Sequence, residues 1–179
     1  MFQVLLPLLL LSAICIAAPS QLQLHSELQS ASQSASQSAP QQRASDLDYT
    51  PIRSVTDDER YTVIHPDVKL VPLTKVKHGK GNIVFSAGQR ISGDKLLVNN
   101  YDDESFTKAV NLEVFMRYPL AIGTGSTLTS IEIYVDSSAN DADAYFTAGG
   151  IGKTTASILL TSDQTRTFSY EAFFYGYLA

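Results

Sequence analysis

From residue 82 to its end, the chain repeatedly alternates apolar and polar positions. The clearest example is 110–118, where every even position is apolar and most odd positions are polar. A period of two is typical of a half-buried β-strand. Similar patterns at 131–135, 142–148, 156–160 and 168–174 join short apolar runs at 82–87 and 94–99, with turn residues between them.

About seven short strands in roughly a hundred residues predict an all-β domain, an antiparallel β-sandwich or barrel, over residues 82–179. β-branched and aromatic residues, which favour strands, dominate these segments. A helical turn is one interpretation of residues 102–108. No sustained 3.6-residue periodicity occurs anywhere in the chain.

The amino terminus carries an apolar run from Val4 to Leu11, which is too short to span a bilayer. Small residues follow it, and residues 1–17 are interpreted as a signal peptide cleaved between Ala17 and Ala18. An uncleaved membrane anchor is the alternative, but Pro7 interrupts the run. We therefore expect a secreted, extracellular protein that has no membrane contact once the signal peptide is removed.

Residues 18–45 are almost entirely Ser, Gln and Ala, and they contain too few apolar side chains to offset the entropy of ordering the backbone. They predict a disordered leader that serves as a linker, with a spacer, an O-glycosylated stretch or a removable pro-segment as alternatives.

Residues 46–81 are charged and contain prolines, so we expect a mostly irregular connector with extended stretches such as 61–64 and one edge strand at most. A basic cluster of Lys75, Lys77, His78 and Lys80 could be a solvated hinge, a processing site or a contact with an acidic surface.

Composition argues against catalysis in the β-domain. Residues 82–179 contain no His, Cys or Trp, and the single cysteine, Cys15, leaves with the signal peptide. Hydroxyl and thiol nucleophiles generally need an adjacent base such as His, and zinc sites need Cys or His. Glu113, Glu132 and Glu171 fall on polar strand positions, where a solvated face explains them. We expect no enzyme activity, catalytic residue, metal, nucleotide or cofactor.

Two segments resemble ligand-binding loops only superficially. Residues 148–155 resemble a phosphate-binding loop, but Thr147 stands where the pattern needs Gly, and a strand pattern follows instead of a helix. We interpret this segment as a glycine-rich hairpin turn. Residues 136–143 place oxygen ligands as a calcium loop does, but they lack its Gly and its bidentate Glu. A solvated acidic loop is the expectation there.

The net charge of −5 lies entirely in residues 82–179, which carry eleven acidic and six basic residues. An acidic domain without a basic stripe is a poor nucleic-acid binder. We therefore expect no direct contact with DNA or RNA.

The segment 88–96, a later glycine cluster and the closing aromatic strand together resemble the insect multiprotein bridging factor 2 family over about residues 82–177. The residues that carry the resemblance are Gly88, Arg90, Gly93, Asp94, Gly149, Gly150, Gly152, Tyr175 and Gly176. Departures are Ile151, where members often have Pro, and the turn at 163–166. All of these residues are interpreted as structural, with Arg90 either paired with an acid such as Asp94 or exposed.

The resemblance implies a compact β-domain of arthropod origin. The family name comes from a transcription coactivator that binds transcription factors without contacting DNA, and many members are described as salivary secreted peptides. Together with the signal peptide, this predicts a secreted, non-enzymatic protein that binds a protein partner of unknown identity. A transcription coactivator is the alternative, and a small-ligand carrier is a further one.

Aromatic residues on the face opposite the inferred core are candidates for contact with that partner. Phe115, Tyr134 and Tyr145 are the residues of this predicted partner surface. Phe173 and Tyr175 have the same parity, but they are interpreted as the second buried face of a central strand.

Overall fold

The fold is taken from a computed structural model, which describes residues 46–79, 82–121, 123 and 125–177. The predicted signal peptide, its cleavage site at Ala17 and Ala18, and the leader at 18–45 lie outside the described residues. The described residues form nine strands, a 3-10 helix at Asp57–Glu59 and one α-helical turn, α1, at Tyr61–Ile64. The strands are β1 Asp48–Tyr49, β2 Arg53–Ser54, β3 Val71–Pro72, β4 Thr74–Lys77, β5 Asn82–Gly88, β6 Lys95–Tyr118, β7 Thr127–Ser137, β8 Asp143–Gly149 and β9 Ala156–Tyr177.

The strands join in one antiparallel sheet of order β1-β6-β9-β7-β5-β4, with β2 paired to β6 and β8 paired to both β9 and β3. The early part of β9 pairs with β8, whereas its later part pairs with β7. Side chains from both parts meet in a single hydrophobic cluster. Both parts of the sheet therefore share one core, and the prediction of an all-β domain, an antiparallel β-sandwich or barrel, is confirmed.

Large apolar side chains from both parts of the sheet fill the core. On β6 the even positions 112–118 are buried, as the alternation predicts. On β9, Phe168, Tyr170 and Phe174 are almost completely buried. The Tyr170 hydroxyl donates a 2.7 Å hydrogen bond to Asn100 Oδ1, and burial raises the pKa of Tyr170.

The number of strands after residue 82 differs from the prediction, because separate patterns merge into longer strands. The runs at 94–99 and 110–118 both belong to β6, and those at 156–160 and 168–174 both belong to β9. The helical turn proposed for 102–108 is wrong, since Asp102 to Ser105 pair with Thr167 to Tyr170. Register shifts in β6 between Ser105 and Leu112 interrupt the alternation, which is why the sequence suggested a break.

Residues 46–79 are more ordered than the connector expected from sequence. They contribute β1 to β4, and residues 61–64 are helical rather than extended. Their four buried apolar side chains, Leu47, Ile52, Val55 and Leu73, explain this order. Among the described residues, no helix has the length and apolar character needed to cross a membrane.

Candidate functional site

The turn between β5 and β6 is organised by the carboxylate of Asp94. This side chain is only 1% exposed and accepts hydrogen bonds from Arg90 Nε at 2.9 Å, the Ile91 backbone NH at 3.0 Å and the Thr129 hydroxyl at 2.8 Å. Arg90 Nη2 lies 2.7 Å from the same carboxylate. These contacts, with that from Arg90 foremost, hold the pKa of Asp94 well below its usual range. Arg90 therefore has the acidic partner that the sequence suggested.

Gly88 lets this turn approach β7 closely. Its φ is +72°, and a Cβ there would collide with the carbonyl oxygen of Thr129 and press against the Ile151 side chain. The Gln89 backbone NH donates to that same Thr129 carbonyl at 3.0 Å. Gly88 is therefore a structural residue that fixes where Arg90 and Asp94 lie.

The glycine-rich segment 149–152 forms the turn between β8 and β9, as the sequence analysis expected, and no helix follows it. Gly149, Gly150 and Gly152 all have positive φ. The turn docks on β7 through hydrogen bonds from the Gly152 NH to the Leu128 carbonyl, 2.8 Å, and from the Leu128 NH to the Lys153 carbonyl, 2.9 Å. The hairpin therefore supports the sheet and offers no helix N-terminus for a phosphate.

On the outer side of β7 and β9, three rings and two carboxylates line a shallow groove of about 250 Å³ that we call the aromatic face. Its members are Glu132, Tyr134, Glu171, Phe173 and Tyr175. Tyr134 meets Phe173 edge-on at 5.9 Å, and Phe173 stacks on Tyr175 at 6.4 Å between ring centroids. Tyr134 is 45% exposed.

The Arg90 guanidinium closes one end of the aromatic face by lying 3.6 Å from the centroid of the Tyr175 ring. At the other end, the Tyr134 hydroxyl donates to Glu132 Oε2 at 3.0 Å, and this hydrogen bond raises the pKa of Tyr134. Phe173 and Tyr175, which the sequence analysis interpreted as buried, are only partly buried. Among the strands that the structure describes, none covers this side of β9, and the parity that Phe173 and Tyr175 share with Glu171 was the available signal.

The structure does not bring Phe115, Tyr134 and Tyr145 onto one surface. Phe115 and Tyr145 both pair with Leu159 of β9, whereas Tyr134 pairs with Glu171, twelve residues further along that strand. Phe115 is partly covered by Tyr61, whose ring stacks on it at 5.5 Å. The predicted partner surface is therefore divided between the two parts of the sheet.

Glu113 does not lie on a solvated face, contrary to the expectation from its strand position. It is 8% exposed and accepts a hydrogen bond from the Tyr61 backbone NH at 2.9 Å, so it holds the start of α1. A groove of about 360 Å³ opens beside it, lined by residues that include Tyr61, His65 and Phe115.

The carboxylates around the start of β8 form salt bridges with two lysines of β4. Lys75 Nζ lies 2.8 Å from carboxylate oxygens of both Asp141 and Asp143, and Lys77 Nζ lies 2.9 Å from Asp141. Hydrogen bonds from Lys75 and then Lys77 lower the pKa of Asp141 to about 2. Two members of the basic cluster thus contact an acidic surface of their own chain. Among the described residues, no group of three His, Cys, Asp or Glu is placed to hold a metal ion.

Comparison with known proteins links the chain to one family. A family model described as transcription activator MBF2 matches residues 87–176. No curated protein and no solved structure matched the chain. The matched span runs from the end of β5 to the end of β9, so it contains the Asp94 turn, the glycine-rich hairpin and the whole aromatic face.

Proposed function

The chain belongs to the family described as transcription activator MBF2, and from this we propose that it takes part in transcription activation by binding other proteins. The family match over half of the chain carries the proposal. The aromatic face lies within the matched span and supplies exposed rings beside carboxylates, which are suited to contact with a protein partner.

Charge supports contact with proteins rather than with DNA. The β-domain has a net charge of −5, and the aromatic face carries two carboxylates. Phosphate backbones require Lys and Arg contacts for affinity, and this surface would repel them. We propose that the chain acts in transcription through a partner and does not read DNA itself.

The packing of the core and the side chains of the aromatic face favour a binding protein over a carrier or an enzyme. Phe85, Phe168, Phe174 and Met116 fill the space between the two parts of the sheet, where a carrier would need an apolar cavity. The residues that line the aromatic face include no His, Cys, Ser or Thr. We therefore propose a non-catalytic role without a cofactor.

A tethering experiment tests the activator proposal. Residues 18–179 would be fused to a sequence-specific DNA-binding domain and expressed with a reporter gene in cultured cells. We expect the fusion to raise reporter output several-fold over the DNA-binding domain alone. The same fusion carrying Phe174→Ala, which empties part of the core, should lose the effect. Equal nuclear amounts with no rise in output would contradict the proposal.

A second candidate function is favoured by the apolar run in residues 1–17, which has the length and the small-residue ending of a signal peptide. In this alternative the chain is an insect secreted protein of the salivary or haemolymph type that binds an extracellular partner. Expression of the full chain in insect cells, with mass spectrometry of medium and cell pellet, separates the two. A product in the medium beginning near Ala18 supports secretion, whereas a product retained with Met1 to Ala18 intact rejects it.

A further inference from the structure

We propose that the aromatic face is the docking site for an arginine-containing basic segment of a protein partner. This inference rests on the proposed protein-binding function and adds the chemical class of the partner. It follows from three features of the face: its stacked rings, its two carboxylates that form no salt bridge among the described residues, and the guanidinium that it already holds.

Arg90 shows within the chain how a guanidinium sits on this surface. Its planar group lies 3.6 Å from the Tyr175 centroid while Asp94 binds its nitrogens, so it combines stacking with a carboxylate contact. The next two rings along the face, Phe173 and Tyr134, offer further aromatic surface on which a guanidinium could stack. Phe173 lies nearly parallel to Tyr175, with 11° between the ring planes, and Tyr134 closes against Phe173 at 89°.

Carboxylates also lie beside these two rings, as Asp94 lies beside the guanidinium that stacks on Tyr175. Glu132 lies opposite Phe173 in the β7–β9 register, and Glu171 lies opposite Tyr134. Glu132 accepts one hydrogen bond from Tyr134, and Glu171 accepts one from Asn99 Nδ2 at 3.2 Å. Among the described residues, no Lys or Arg forms a salt bridge with either carboxylate.

Glu132 and Glu171 are diagonal neighbours in the β7–β9 pair, a separation of about 7–8 Å that a long side chain can bridge. Each carboxylate has about four acceptor positions, so most of their hydrogen-bonding capacity is open to a ligand. Arginine fits better than lysine because its planar guanidinium stacks on rings and donates to two carboxylates at once. The acidic net charge of the domain would steer a basic segment towards the face.

The test measures binding of a capped hexa-arginine peptide to the full chain at about 0.1 M salt, by isothermal titration calorimetry and by NMR chemical-shift mapping. The key variant is the double substitution E132Q/E171Q. Its matched control is D67N/E104Q, which removes the same charge at two exposed positions away from the aromatic face. Tyr134→Leu is a third variant that removes a ring and leaves the charge unchanged, and circular dichroism verifies that each variant is folded.

We expect binding with shifts centred on Glu132, Tyr134 and Phe173. Affinity should fall about tenfold in E132Q/E171Q, as expected for loss of charge-assisted hydrogen bonds. It should change less than about twofold in D67N/E104Q, because neither residue lines the aromatic face and exposed charges are partly screened at 0.1 M salt. Tyr134→Leu should weaken hexa-arginine more than hexa-lysine, since lysine depends less on stacking.

Equal weakening by the two double variants would overturn the proposal, because the attraction would then depend only on net charge. Shifts centred elsewhere would overturn it as well. If hexa-arginine fails to bind while the tethered chain still activates the reporter, the docking site is wrong and the activator role stands. If the peptide binds as described and the reporter stays silent, the activator role fails and the docking site stands.

Discussion

At the residue scale, Gly88 is a position where one methyl group has a large predicted effect. Gly88→Ala should lower the free energy of unfolding by more than Gly152→Ala, a control with a similar φ of +76° and open space around its Cβ position. Positive φ alone costs a non-glycine residue about 1–2 kcal/mol. The clash with Thr129 and Ile151 should add about 1–3 kcal/mol for Gly88. Urea unfolding of both variants measures the difference, and equal losses would contradict the close approach.

Asp94 provides the second prediction at this scale. Asp94→Asn keeps the size of the side chain but removes the ionised acceptor of Arg90, Ile91 and Thr129. We expect a lower Tm and loss of the stacked position of Arg90, seen as narrowed NMR lines of its Nε–H and changed shifts of Tyr175. Asp136→Asn is the control because it removes an exposed carboxylate from β7. An unchanged Arg90 signal in Asp94→Asn would show that Tyr175 alone holds the guanidinium.

At the scale of elements, salt bridges from Lys75 and Lys77 connect β4 to Asp141 in the loop before β8. The pKa of Asp141 is lowered to about 2 in the folded state by Lys75 and Lys77, from 3.8. A lowered folded-state pKa gives stability that is present above pH 4 and is lost as the pH falls towards 2. The urea midpoint of the natural chain should therefore fall between pH 5 and pH 2.

The matched variant Asp141→Asn isolates this contribution from the other carboxylates that titrate in the same range. It should lower the midpoint at pH 5 and reduce the further loss between pH 5 and pH 2. The difference should shrink at high salt, because both partners of the pair are partly exposed. Parallel pH profiles for the two chains would show that the lysine contacts add nothing to stability.

Elements also show how far sequence reasoning reaches. Alternation located most of the buried apolar positions of β6, β7 and β9, since burial on one side of a strand leaves a period of two, but it missed the burial of Glu113 and Leu159. It could not show that 94–99 and 110–118 form one strand, because register shifts hide continuity. Nor could it place Glu132 beside Phe173, since such neighbours depend on the pairing register. The Arg90–Asp94 pair was within reach because its partners are four residues apart.

At the scale of the whole molecule, the folding unit extends beyond the span matched by the family model. Residues 87–176 match, yet β1 to β4 precede them and add strands to the sheet. This earlier segment contributes four buried apolar side chains, those of Leu47, Ile52, Val55 and Leu73. At about 1.5–3 kcal/mol for each buried side chain, they contribute roughly 6–12 kcal/mol as an upper limit. That is comparable with the 5–15 kcal/mol by which a whole domain is usually stable.

A chain that begins at residue 82 should therefore be largely unfolded at 25 °C, whereas one that begins at residue 46 should unfold cooperatively in urea. Circular dichroism and the dispersion of NMR amide signals distinguish the two. If the shorter chain unfolds cooperatively at the same urea midpoint as the longer one, β1 to β4 contribute nothing to the stability of the sheet. If it does not, activity tests on the matched span alone would report an unfolded protein, and assays of the aromatic face must retain residues 46–81.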